Sequence, residues 1–323
     1  MRKINKTLAL VLALITVLSA FSIVPFTASA KETSVVSTSA KTPTSGECGK
    51  NAKWKIDSKG VLTIYGKGEI IETDELTICI QEKAKEVKIS NGITKLPNRL
   101  FMEGSKIEKI TVANSVKTLE EAVFFYCNKL KTVTIGNGVT KIPYCSFLEC
   151  PSLQSVKLGT GVKSIETNAF DSCVKLNTIT IDKKNKNLCS VDGVVYTKNK
   201  KKIVLYPQGK KNTSYSILKG TKTIGKCAFA FGVNLKKVTI PTTVTSIENS
   251  AFIHCTKLKK LTVPSSVKKI GYYAYGYRFN FYGGEFDDEI TTMPIKGCAI
   301  YGKSGSSANR YCVNFKVKFV KVK

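Results

Sequence analysis

The sequence keeps a period of 23 residues. An apolar-x-apolar couplet begins at positions 87, 110, 133, 156 and 179, and again at 215, 238 and 261. An aromatic residue follows the same interval at Phe101, Phe124, Phe147 and Phe170, then at Phe229, Phe252 and Tyr275. Both series share one long step, of 36 residues in the couplets and 59 in the aromatics, so one unit carries 13 extra residues. Few architectures tolerate such a period. A chain that repeats its apolar pattern every 23 residues must return to the same place one layer further on, because no single layer can bury its apolar face alone.

Within a unit the couplets alternate inward and outward with period two and are rich in β-branched residues, as in Thr132-Val133-Thr134-Ile135 and Thr178-Ile179-Thr180-Ile181, which is strand patterning. A Gly- or Pro-containing turn follows, as at Gly136-Asn137-Gly138 or Pro264-Ser265-Ser266, then Val-x-x-Ile, then a compact Ala-Phe-x-x-Cys segment. The prediction is a solenoid of at least eight rungs: one continuous parallel β-sheet of couplet strands in sequence order, with short helical or 3₁₀ turns on the other side. The aromatics Phe124, Phe147, Phe170, Phe229 and Phe252 are expected to stack as a buried ladder.

The pattern Ile165-x-x-x-Ala169-Phe170-x-x-Cys173-x-x-Leu176-x-x-Ile179-x-Ile181 resembles the unit of the BspA-like class of leucine-rich repeat proteins, found on or outside bacterial cells. Val244 to Ile247 and Val267 to Ile270 resemble it too, as do the opening Cys48 to Ile64, the excursion Val191 to Pro207 and the closing Ile300 to Ala308. The resemblance covers about residues 47 to 323. Val123 and Ser146 depart from it in place of alanine, and Tyr275 in place of phenylalanine, as adjustments of volume. It implies an extracellular binding or adhesion protein without catalysis, whose partner differs from member to member.

Several segments lie outside the repeat. Arg2, Lys3 and Lys6, the apolar stretch Leu8 to Val24 and the small-residue site Ala28-Ser29-Ala30 read as a secretory signal over 1–30, cleaved after Ala30. Residues 31–46 read as a flexible Ser/Thr-rich leader and 47–80 as an N-terminal cap, with Trp54 in the cap core. The solenoid is expected over 81–275, with a projecting β-hairpin insertion at 182–214, and a C-terminal cap with an acidic and aromatic loop over 276–323. That cap is expected to contain a strand at Ala299 to Tyr301, a short helix at Ser306 to Cys312 and a final edge strand at Phe315 to Val322.

Composition narrows the chemistry. Lysine and arginine total 51 against 23 acidic residues, a net charge of +28, yet only four of these cations are arginine. Base readout and bidentate phosphate gripping favour arginine, so nucleic acid is not the expected partner. A single histidine, His254, weakens every reading that needs a His-bearing triad, a His-rich metal site or a two-His zinc helix; it is expected to face solvent or pack in a loop. Gly297 to Ser304 spells Gly-x4-Gly-Lys-Ser, the phosphate-loop motif, but its middle reads as strand instead of the required strand-loop-helix. Asp287, Asp288 and Glu289 lack calcium-loop spacing. Among the 11 cysteines, Cys127, Cys150, Cys173 and Cys255 all follow the aromatic by three residues. Rungs stack about 4.8 Å apart, wider than the ~3.5–4.5 Å Cβ separation of a disulfide, so these read as free buried thiols. Neither cofactor nor metal is expected.

The expected function is a secreted or cell-surface, non-catalytic protein, a monomer with no membrane span after signal cleavage, that binds an extracellular protein or glycan. Its candidate binding residues are the outward column Thr111, Thr134, Lys157, Thr180, Thr239 and Thr262. The alternative is a cell-wall or glycan-associated protein held by charge to an anionic wall polymer. Residues 182–214 carry nine lysines and two aspartates, which makes Lys198, Lys200, Lys201 and Lys202 the candidate grip.

Overall fold

The computed structural model describes residues 43–279 and 292–322. The predicted signal, most of the leader and the acidic run at 285–289 lie outside the described residues. Pro43–Arg278 and Pro294–Lys323 form one compact unit.

The couplets form the front sheet. Glu86–Ile89, Lys109–Val112, Thr132–Ile135, Ser155–Leu158 and Thr178–Ile181 run parallel in sequence order. Their register is one period: Val156 lies opposite Val133 on one side and Ile179 on the other. Couplet side chains such as Ile110, Val133, Val156 and Ile179 point into the core. The Val-x-x-Ile segments build a second wall of short parallel pairs, Ile93–Leu96 with Thr118–Leu119 and Lys141–Ile142 with Ser164–Ile165.

The aromatic segments form the third wall. The N–H groups of Phe101, Phe124, Phe147, Phe229 and Phe252 donate to the carbonyl just before the next aromatic, as from Phe124 to Ser146 (2.9 Å), Phe147 to Ala169 (2.8 Å) and Phe229 to Ala251 (2.8 Å). This sets the rings of Phe124, Phe147 and Phe170 in a stack at 5.0 Å centroid spacings. The residues two before and two after each phenylalanine of the series adopt left-handed backbone with φ of 54–63°, among them Ala122, Cys145, Asn168 and His254. Two tight reversals per unit require it, although none of the four is glycine and such backbone is costly for an L-residue.

The cysteine ladder has a specific task. The thiols of Cys127, Cys150, Cys173 and Cys255 donate to the carbonyls of Phe101, Phe124, Phe147 and Phe229 in the preceding rung, at 3.0–3.1 Å. A buried thiol is small enough for the turn and still satisfies a carbonyl that faces the core.

Both ends are closed. At the first, Ser45–Glu47, Asn51–Ile56 and Val61–Glu69 form an antiparallel group whose last strand pairs parallel with Glu86–Ile89. Trp54 is fully buried there. Ser45 and Gly46, assigned to the leader by composition, belong to that edge strand. A helix α1, Asp74–Glu82, buries Leu76, Cys79 and Ile80; its N-cap Thr73 accepts from the Leu76 N–H. At the other end, strand Ala299–Gly302 follows Lys260–Thr262, and helix α2, Ser307–Asn314, leads to the last strand, Lys318–Lys321. The phosphate-loop spelling therefore falls on a strand of the solenoid.

The solenoid class stands, but two of its expected details do not. The front sheet is not continuous: it ends at Thr178–Ile181, and the strands at 214–216 and 260–262 belong to separate sheets. Nor does the insertion project as a hairpin. Leu188–Val191, Val194–Thr197 and Lys202–Leu205 form an antiparallel meander, and the last of these strands continues the second wall by pairing parallel with Thr223–Ile224. Tyr206 then takes the aromatic position, stacking on Phe229 at 5.3 Å. Apolar residues drive the change: Leu188, Val194, Val195, Tyr196 and Ile203 are buried, and exposing them on a projecting hairpin would cost more than ending one sheet. Asn185, fully buried, pins the entry by donating to the Gly159 and Val162 carbonyls and accepting from the Asn187 and Leu188 N–H groups.

Two substitutions test this packing. Phe147→Ala, which opens the middle of the ring stack, is expected to lower unfolding free energy by about 3–5 kcal/mol in denaturant titration. Asn185→Ala leaves buried carbonyls and amides unpaired and is expected to cost about 2–4 kcal/mol in the same assay.

Candidate functional site

The outward members of the first couplet strands define a shallow groove. Thr111, Thr134, Lys157 and Thr180 stand one above another in register. With Asn114, Asn137 and Asp182 from the turns that follow the strands, they line a space of about 440 Å³. Thr134, Lys157 and Thr180 are exposed and Thr111 is half-buried. The backbone beneath is occupied by the parallel ladder, so this face offers a ligand side-chain hydroxyls, amides, one ammonium and the Asp182 carboxylate.

Its turn wall is held by two devices one period apart. Asn114 Oδ1 accepts the Asn137 N–H at 2.9 Å, and Asn137 Oδ1 accepts the Thr160 N–H at 3.0 Å. The glycines allow the turns to touch: a Cβ on Gly136 would sit 2.5 Å from the Ala113 carbonyl, and one on Gly159 2.7 Å from that of Gly136. Asn114, Asn137 and Asp182 were not among the residues expected from the sequence. The recurrence of Gly136-Asn137-Gly138 as Gly159-Thr160-Gly161 was the signal that could have found this wall.

The other expected residues lie elsewhere. Thr239 and Thr262 are exposed on Lys237–Thr239 and Lys260–Thr262, strands of two further sheets, and do not line the groove. Lys198, Lys200 and Lys201 are exposed on the turn before Lys202–Leu205, at the second wall. Lys198 Nζ donates to the Lys183 carbonyl at 2.9 Å. The Lys202 ammonium is held by both oxygens of Glu248, at 2.7 and 2.8 Å, and Glu248 also accepts the Lys226 N–H. The expected grip thus keeps three outward lysines and one that joins two rungs.

His254 and the buried cysteines are engaged in packing. The His254 ring stacks on Phe231 at 4.8 Å. Burial pushes the thiols of Cys145, Cys227 and Cys255 up to about 12, which keeps them protonated and poor nucleophiles. Cys298 and Cys312 are both free thiols. Among the described residues no three His, Cys, Asp or Glu side chains gather to hold a metal ion, and no helix is long and apolar enough to cross a membrane.

The pattern of the BspA type leucine-rich repeat region matches residues 78–191 and 206–298, in six copies. The chain belongs to this family. The gap in the match falls within the insertion, where a BspA-type rung is built from an antiparallel meander instead of one couplet strand. No functionally curated protein matches the chain. Among solved structures, a leucine-rich repeat protein from Eubacterium ventriosum is 24% identical with a TM-score of 0.55, the match covering 70% of this chain and 68% of that one. This likeness shows the fold. The pneumococcal vaccine antigen PcpA is 16% identical, with a TM-score of 0.45 over 85% of this chain and 98% of its own. A leucine-rich cell surface protein from Faecalibacterium prausnitzii is 17% identical, with a TM-score of 0.35 over 72% of this chain and 95% of its own.

The close approach of the turns predicts that Gly136→Ala forces backbone to move. The expected outcome is a loss of about 1–3 kcal/mol of stability by thermal or denaturant unfolding, against little change for Thr134→Ala on the open face.

Proposed function

We propose that this BspA-type protein is a non-catalytic binding protein, exported to the surface or exterior of a bacterial cell, that holds an extracellular protein or glycan in the front groove. The observation that carries this reading is the in-register column Thr111, Thr134, Lys157 and Thr180 beside the asparagine turns. Family membership and the predicted signal segment support the compartment. Repeat solenoids commonly use such an extended surface for binding.

A host-protein and glycan array, run with the chain lacking residues 1–30 at low and high salt, tests the proposal. Retention that persists at high salt marks a shape-complementary contact. Thr134→Tyr with Thr180→Tyr, which fill the groove from exposed positions, are expected to weaken such binding at least about tenfold, or about 1.4 kcal/mol, with the melting temperature unchanged. Undiminished binding by this variant would remove the groove from the proposal.

A second reading rests on the exposed Lys198, Lys200 and Lys201: attachment by charge to an anionic wall polymer. Their joint replacement by glutamine is expected to reduce retention on purified polymer at low salt, each cation contributing at most about 1 kcal/mol. Retention equal to the unmodified protein would leave that turn as solvated surface.

A further inference from the structure

Charge is divided unevenly along the coil. Residues 43–202 hold 26 lysines and arginines against 17 acidic residues, whereas 203–278 and 292–322 hold 19 against one, Glu248. Even with the four carboxylates of 285–289 counted, residues 203–323 carry 20 cations against five acids. The ion pairs of the described residues follow the same division. All lie within residues 47–166 except that of Lys202 with Glu248. The early rungs thus neutralise much of their lysine internally, and the late rungs leave theirs to an outside anion.

The fold gathers these cations into a strip. Lys260–Thr262, Ala299–Gly302 and Lys318–Lys321 run parallel in register, with Lys260, Ala299 and Lys318 side by side and Tyr301 next to Thr262. Lys237–Thr239 packs beside them, one period before Lys260–Thr262. Strand alternation turns Val238, Leu261 and Ile300 into the core and leaves Lys237, Thr239, Lys260, Thr262 and Lys318 exposed. Lys236, Lys259 and Lys296, exposed in the turns just before the strands, form a second row; Lys259 Nζ donates to the Lys296 carbonyl at 2.8 Å. None of these six lysines has a carboxylate partner among the described residues. The half-buried Tyr301 ring lies 5.9 Å from Lys260 Nζ.

We propose that this strip binds a linear acidic polysaccharide, a glycan with one anionic group on each sugar, laid along the axis of the coil. It goes beyond the two readings above, using neither the groove nor the Lys198 turn. Rungs repeat about every 4.8 Å, close to the length of one sugar ring in a chain, so successive anions meet successive lysines. An ammonium on a flexible stem suits single anionic groups; base readout would call for arginine, and this half of the chain has only Arg278 and Arg310. A protein partner would need an apolar centre to its contact. None of the exposed large apolar residues, such as Tyr272 and Val313, stands on these four strands. Tyr301 supplies what a sugar uses instead, one ring face beside a cation.

Binding of the full chain to polygalacturonate at low salt, with the fully methyl-esterified polymer as the uncharged control, tests the strip. The charged polymer is expected to bind, to weaken as salt rises, and to be favoured over polyglutamate and duplex DNA. Joint Lys237→Gln, Lys260→Gln and Lys318→Gln should weaken it at least about tenfold. Joint Lys198→Gln, Lys200→Gln and Lys201→Gln removes the same charge and should change it less than about twofold. All six positions are exposed, and both variants should keep the melting temperature of the unmodified protein. Equal losses in the two variants would mean diffuse charge and overturn the proposal. A loss confined to the second variant would uphold the Lys198 turn and overturn the strip. No binding to polygalacturonate, or binding to polyglutamate or duplex DNA at least as tight, would overturn it as well.

Discussion

Everything in this protein depends on hydrogen bonding along the axis of the coil. A period of 23 residues brings backbone amides back to the carbonyls of the rung beside them, in the front sheet, in the short second wall and at the aromatic turn. Each rung therefore satisfies the polar backbone of its neighbours while its apolar side chains fill the interior, and no rung can do either alone. The thiol ladder obeys the same rule, since each cysteine reaches a carbonyl one layer back.

The exceptions show what the rule requires. The chain closes its ends with the hairpin around Trp54 and with α2 and its following strand, which cover the first and last layers. The insertion performs a similar closure in mid-chain: Leu188 and Val195 cover the core of the first rungs, and Tyr206 begins a new stack. The cost is an interrupted front sheet and several buried polar groups left unpaired.

Much of the candidate site was legible because it is built by the repeat. Thr111, Thr134, Lys157 and Thr180 follow from strand alternation plus the period. Asn114 and Asn137 carried a weaker signal, since their work is a side-chain bond to the turn of the next rung. Thr239 and Thr262 occupy the same phase of the repeat, yet they stand on other sheets. Lys202 looked like one of four equivalent cations until the fold brought Glu248 against it, from 46 residues away. Periodicity reports a residue's position within a layer; it is silent on which layers remain bonded.

By itself, the sequence determined the solenoid, the parallel order of the couplet strands, the burial of the aromatics and the inert setting of the ladder cysteines. All four follow from spacing, because a strict period fixes side-chain direction and neighbour identity together. Only the tertiary structure decided that the insertion lies in the wall, that the front sheet ends at Thr178–Ile181, and that the Asn168 amide is enclosed without partners. Those outcomes turn on a competition between burying Leu188, Val195 and Tyr196 and continuing a ladder of hydrogen bonds. The residues involved lie off the period, so no count along the chain could show which side would prevail.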